Sequence, residues 1–149
     1  MLKDGIVLAF FVQIFIKEVD AMDSKKKILL IDDDQDFLMA TKLILEKGGY
    51  EVFLAEDGKS GFDMAKSVSP DLAIIDMMME TWSEGFNVVS KLRTSDSGKQ
   101  IPLIMLSAVD LQGPYQSFEP PGELPTVDLV LHKPIKSDDL LKFVGQLLR

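Results

Sequence analysis

Four short apolar runs in this chain of 149 residues each stop at a side chain able to do chemistry. Ile28–Ile31 runs into Asp32-Asp33-Asp34, Leu72–Ile75 into Asp76, Ile101–Leu106 into Ser107-Ala108, and Val127–Leu131 into His132 and then Lys133-Pro134. If the runs are strands of one open parallel sheet, these residues meet at its carboxyl edge, where ligands bind. Three or more carboxylates gathered there repel one another unless a cation lies between them, and an all-oxygen site suits Mg²⁺ or Mn²⁺. A carboxylate beside such a cation, faced by a lysine ammonium and a hydroxyl, is arranged to attack a phosphoryl group. Cation and ammonium hold the equatorial oxygens while the carboxylate acts as nucleophile, and the product is an acyl phosphate. A lone Asp after a strand is most often a helix cap or a solvated loop residue. Four polar strand ends in one chain weaken that reading sharply.

The composition narrows the chemistry further. With 24 acidic against 16 basic side chains the net charge is −8, which disfavours sequence-independent binding to nucleic acid or anionic lipid. There is no cysteine, so disulfides, thiolate catalysis and cysteine-ligated metals are excluded, and a cytoplasmic location fits best. His132 is the single histidine, which removes histidine-cluster metal sites and leaves carboxylates to carry the chemistry. At 46% apolar residues the chain has enough material for one folded domain.

The elements that must position these residues alternate in period. After the run ending at Ile31, Phe37, Ala40, Thr41 and Ile44 recur at helical spacing until Gly48-Gly49. Val52–Leu54 is a second strand, and Phe62, Ala65 and Val68 mark a helix that ends before Pro70. Leu72–Ile75 is the third strand, followed by a helix on Phe86, Val89 and Leu92; Ile101–Leu106 is the fourth and Val127–Leu131 the fifth. Ser137 is placed to cap a last helix with the stripe Leu140, Phe143, Val144 and Leu147. Apolar strands alternating with amphipathic helices predict an α/β fold, a parallel sheet covered on both faces. Between the fourth and fifth strands, residues 110–126 carry Gly113, Pro114, Pro120, Pro121, Gly122 and Pro125, so a Pro-rich loop is expected where the pattern wants a helix.

Ahead of all this, Gly5–Ile16 is apolar except for Gln13. Twelve residues fall short of the roughly 20 that span a bilayer, and neither the charged start nor any cleavage site favours a signal peptide. Residues 1–24 are read as an N-terminal extension, either an upstream start ahead of Met22 or a loosely packed extra helix. Stable membrane insertion is not expected.

From Lys25 to Arg149 the sequence resembles the receiver domain of two-component response regulators. Ile28–Asp34 is similar to its acidic opening, Asp71–Met78 to its phosphoacceptor strand, Leu106-Ser107-Ala108 to its hydroxyl switch, and Lys133-Pro134 to its lysine motif. The resemblance implies a flavodoxin-like doubly wound sheet of five strands in the order 2-1-3-4-5, covering residues 25–149. It implies that Asp76 is phosphorylated, that Asp33 binds Mg²⁺ directly and Asp32 through water, and that the Met78 carbonyl completes the protein ligands. Ser107 and Lys133 are implied to bind phosphoryl oxygens, across a cis Lys133-Pro134 peptide. The donor is implied to be a sensor histidine kinase or a histidine phosphotransfer protein, and the output an interaction with an unidentified downstream protein. Met78 and Val109 are implied to flank the path of the hydrolytic water, and because both are apolar the phosphorylated form is expected to persist. The protein is not expected to be an enzyme beyond its own phosphorylation and dephosphorylation.

The chain departs from the receiver pattern at several places. Glu80 stands where receivers usually carry Pro, the matching glycine, Gly85, comes one residue late, and Val130 occupies the place of a switching aromatic. A receiver-fold binding module that takes no phosphate is therefore one rival reading. Another is a haloacid-dehalogenase-like phosphatase, loosely imitated by Asp32-x-Asp34, Ser107, Lys133 and Asp138-Asp139. It leaves Asp76 unexplained and conflicts with helical periodicity starting at Phe37. His132 is read as a strand-end neighbour, Met77–Met79 as packing beneath a loop, and Trp82, Tyr115 and Phe118 equally as anchors for a partner or as cover for the core.

Overall fold

The computed structural model describes residues 2–81, 83–108 and 126–149, and the side chains of these except residues 2–3 and 19–23. Five strands, β1 (Lys27–Ile31), β2 (Glu51–Ala55), β3 (Leu72–Asp76), β4 (Leu103–Ser107) and β5 (Leu129–His132), form one all-parallel sheet in the order β2-β1-β3-β4-β5. Helix α1 (Leu2–Asp23) precedes the sheet, α2 (Gln35–Lys47), α3 (Gly58–Val68) and α4 (Glu84–Thr94) follow β1, β2 and β3, and α5 (Ser137–Leu147) closes the chain. The expected doubly wound, flavodoxin-like fold is what the chain adopts. The Pro-rich stretch lies outside the described residues apart from Thr126, as do Trp82, Val109, Tyr115 and Phe118.

Strand alternation divides the core in two. Ile28, Leu30, Leu72, Ile74, Ile104 and Leu106 face Leu38 and Leu45 of α2 and Leu140 and Val144 of α5. Leu29, Ile31, Ala73, Ile75, Leu103 and Met105 face Ala65 of α3 and Phe86, Val89 and Leu92 of α4. The strands are apolar throughout because both of their faces are covered.

Two readings of the sequence shift by one residue. The buried stripe of α2 is Leu38, Thr41 and Leu45, with Phe37 and Ile44 at its margin and Ala40 exposed. Apolar residues at 37–40 and 43–45 fit either phase, and packing against β1 and α5 selects the one that buries two leucines. Ser137 is the first residue of α5 rather than its cap; Lys136 holds that position without a side-chain bond.

Helix α1 extends well beyond the apolar run at both ends. Ile6, Leu8, Phe10, Phe11 and Phe15 on it are each more than 60% exposed. Among the described residues no helix is long and apolar enough to cross a membrane.

Candidate functional site

The backbone hydrogen bonds that align the strands continue one step past their ends and fix the polar residues there. Asp32 N–H donates to the Ala55 carbonyl at 3.1 Å, Met77 N–H to Leu106 at 2.8 Å, and Lys133 N–H to the Ser107 carbonyl at 2.8 Å. Asp32, Asp76 and Ser107 are consequently buried at the carboxyl edge of the sheet, with Asp76 only 5% exposed, while Asp33 faces solvent beside them.

The side chains converge. Carboxylate oxygens of Asp32, Asp33 and Asp76 all lie within 4.8 Å of one another. Lys133 Nζ reaches in from the other side, 2.7 Å from Asp32 Oδ2 and 3.4 Å from Asp76 Oδ2. Its ammonium also lies 4.2 Å from the centroid of the Phe37 ring, a favourable cation–π placement that shields the ion pair from water. Asp32 Oδ1 accepts Asp34 N–H at 2.9 Å and Asp76 Oδ1 accepts Met78 N–H at 3.3 Å, so each buried carboxylate is also held by a backbone amide two residues on. The Lys133-Pro134 peptide is cis.

One ammonium does not balance this charge. Burial first, and then the neighbouring Asp32 carboxylate, push the Asp76 carboxyl up from 3.8 to about 6; Lys133 and the Met78 amide pull the other way and lose. Three converging carboxylates with an undercompensated negative charge form a hard, all-oxygen donor set, and a small divalent cation such as Mg²⁺ fits it.

Not every predicted polar residue joins the cluster. Asp34 caps α2, its side chain accepting Phe37 N–H at 3.1 Å. Asp138 and Asp139 lie in the first turn of α5.

The family model of the response regulator receiver domain matches residues 28–145. The chain belongs to the response-regulator receiver family. It is 35% identical over 124 residues to the DNA-binding dual master transcriptional regulator RpaA of Synechocystis sp., covering 83% of this chain and 49% of that protein. It is 34% identical over 85 residues to the alkaline phosphatase synthesis regulator PhoP of Bacillus subtilis, covering 57% of this chain and 34% of that protein. The chain thus spans about half or less of these relatives' length. Among solved structures, the chemotaxis protein CheY4 of Vibrio cholerae superposes with a TM-score of 0.72 at 28% identity, over 84% of this chain and all of that one.

Within the receiver domain the departures acquire physical roles. Gly85 sits in the first turn of α4 directly against the end of β3: an added Cβ would overlap the Asp76 carbonyl and lie 2.8 Å from Met77 Cα. The late glycine is the point at which α4 closes onto the end of β3. Val130 packs against the core on the α4 side of the sheet. His132 is the exposed last residue of β5. Met77 is buried and Met79 partly so, both packing against that core, but Met78 is 42% exposed beside the site.

Two residues near the site carry no motif. Phe37 reads in sequence as one more apolar helix position, yet it underlies the Lys133 ammonium. Glu84 bonds to two backbone amides, of Gly58 and of Glu80. Glu84 is the first residue of α4, with Ser83 at the cap position, so its spacing matches no capping motif.

Proposed function

We propose that this protein takes a phosphoryl group onto Asp76 from a phosphohistidine of a sensor kinase or phosphotransfer protein and signals by binding another protein in the cytoplasm. The receiver unit runs from residue 25 to 149, with residues 1–24 an extension to it. The observation that carries the proposal is the convergence of Asp32, Asp33 and Asp76 with Lys133 Nζ bridging two of them.

Asp33 and Asp76 carboxylates and the Met78 carbonyl would hold Mg²⁺, with Asp32 acting through water. When bound, the cation neutralises charge on the equatorial phosphoryl oxygens. An Asp76 carboxylate oxygen forms its bond to phosphorus as the phosphorus–nitrogen bond of the donor breaks, and the electron pair leaves with the imidazole. Lys133 swings its ammonium from carboxylate to phosphoryl oxygen, and Ser107 donates its hydroxyl to another. Binding and positioning account for the transfer, since the transferring group carries most of the electronic change itself.

Incubation with acetyl phosphate and Mg²⁺, followed by mass spectrometric mapping, tests this. One added phosphoryl group on Asp76, absent in Asp76→Asn and in Asp33→Ala, is the expected result. Undiminished labelling of Asp76→Asn overturns the assignment, and labelling at Asp32 favours the phosphatase reading.

A further inference from the structure

Glu84 stands in the first turn of α4, one residue before the glycine that abuts β3, and its carboxylate joins two other segments. Oε1 accepts Gly58 N–H, the first amide of α3, at 2.9 Å, and Oε2 accepts Glu80 N–H, in the loop after β3, at 3.2 Å. The first amides of a helix have no partner within it. The cap residue of α3, Asp57, satisfies Ser60 N–H with its own side chain, and Glu84 satisfies Gly58 N–H from a different element. A carboxylate at this positive end of the helix is held by charge as well as by hydrogen bonding.

Gly58 makes room for the contact. A Cβ there would meet Glu84 Cγ at 3.2 Å, Glu84 Oε1 at 3.3 Å and Val88 Cγ2 at 2.8 Å. The main chain next to Glu84 is equally constrained, because Gly85 lies against Asp76 and Met77. With one oxygen fixed on α3 and its backbone fixed on β3, the second oxygen of Glu84 grips the middle of the loop that runs from Asp76 into α4. Met78 lies in that loop, between the anchored Met77 and the gripped Glu80.

We infer that Glu84 is a positioning residue for the divalent-cation site: it ties the Glu80 amide to the N-terminus of α3 and so sets the course of the loop that presents the Met78 carbonyl. The inference rests on the reading that Asp33, Asp76 and Met78 hold Mg²⁺. Glu84 touches neither the cation nor the phosphoryl group; it acts through the loop. Partners that orient the groups around a metal typically contribute 10–100-fold to its affinity, and a contact that acts through one loop amide belongs at the lower end.

The test uses Mg²⁺ titration by calorimetry, amide exchange in the metal-free protein, and thermal melting on the wild type, Glu84→Ala, Glu84→Gln and Gly58→Ala. Glu84→Ala is expected to weaken Mg²⁺ about tenfold and to speed exchange at Glu80, while labelling of Asp76 at saturating Mg²⁺ stays near the wild-type rate. Glu84→Gln keeps a single side-chain acceptor for two amides and should fall between the two. Gly58→Ala crowds Val88 first and the Glu84 carboxylate second and should reproduce part of the loss with Glu84 intact; it and Glu84→Gln carry the test should Glu84→Ala fail to fold. Folded variants with wild-type Mg²⁺ affinity overturn the inference and leave Glu84 as a cap of α3 alone. A wild type that fails to bind Mg²⁺ at millimolar concentration overturns the metal-site reading itself, and the inference with it.

Discussion

Replacing Asp76 by Asn in the metal-free protein should stabilise it, in a way that depends on pH with a definite sign. The Asp76 carboxyl is raised from 3.8 to about 6, mainly by burial and secondarily by Asp32. Between those values the folded protein binds more protons than the unfolded chain, so stability falls as pH rises. The contribution is fully present below about pH 3.8 and is lost as pH passes through about 6. At roughly 1.4 kcal/mol for each pH unit of separation, the deficit above pH 7 has a ceiling of about 3 kcal/mol. Asn carries no charge to desolvate, but its buried amide must find partners among groups arranged for a carboxylate, which brings the expected gain to about 2 kcal/mol. For a domain of this size that is a rise in Tm of roughly 4–8 °C.

The assay is thermal melting of wild type and Asp76→Asn in EDTA from pH 4 to pH 8. Other carboxylates titrate in the same range, so the quantity to follow is the gap between the two proteins. That gap should be widest above pH 7 and close towards pH 4. Saturating Mg²⁺ at pH 7.5 should raise the wild type by mass action and raise the variant, which lacks one carboxylate of the acidic cluster, much less. An Asn variant less stable than wild type at pH 7.5 in EDTA, or a gap that is constant or widens towards acid, would refute the charge argument.

Gly85→Ala should cost at least about 3 kcal/mol in urea denaturation, because the atoms its Cβ meets are backbone atoms of Asp76 and Met77 that cannot yield; a cost below 1 kcal/mol would mean that α4 can slide away from β3. Arg93→Lys should cost about 2–3 kcal/mol while leaving Mg²⁺ affinity unchanged. The guanidinium donates to the carbonyls of Thr126, Ile101, Lys99 and Gly98 and to Asp128 at the amino end of the sheet, a fan that one ammonium cannot reproduce; altered Mg²⁺ affinity would contradict that separation of ends. Met78→Asn should accelerate loss of phosphate from the labelled protein by tenfold or more, since an exposed polar group beside Asp76 can orient water where the thioether cannot. Phosphate release followed over time checks this, and an unchanged rate would place control of water elsewhere.

The sheet was legible because every strand is a short apolar run bounded by polar residues, and because parallel strands buried on both faces leave no other pattern. The convergence of Asp32, Asp33, Asp76 and Lys133 followed from the rule that such strands end on one side. What periodicity could not supply was phase and cross-element contact. The α2 stripe shifted because seven apolar positions in nine fit two rotations, and the neighbours that chose between them lie on β1 and α5. Glu84 was invisible as a functional residue since its partner Gly58 is 26 residues away and the bond is to a backbone amide, which has no residue type to read. The late Gly85 looked like a defect in the motif; counting residues from Asp76 cannot show that the loop absorbs the extra one while the glycine keeps its place against β3.

The site's charge balance links its chemistry to its stability. Asp32 is completely buried and Asp76 nearly so, and the single Lys133 ammonium, held over the Phe37 ring, serves both. A second ammonium would offset the charge and occupy the space a cation needs; an apolar replacement would offset it and remove the carboxylate proposed to take the phosphoryl group. The folded protein therefore carries an uncompensated negative charge that three routes can discharge: protonation, cation binding, or removal of a carboxylate. These routes draw on the same free energy and cannot add. Acid should accordingly weaken Mg²⁺ binding over the pH range in which it stabilises the metal-free fold. The stability gained by Asp76→Asn likewise measures part of what the wild type holds available for the cation. The same reasoning separates Lys133 from the carboxylates: Lys133→Ala deepens the charge deficit, so it should destabilise the metal-free protein while leaving the acidic cluster able to hold Mg²⁺, the opposite stability effect from Asp76→Asn at the other end of one ion pair.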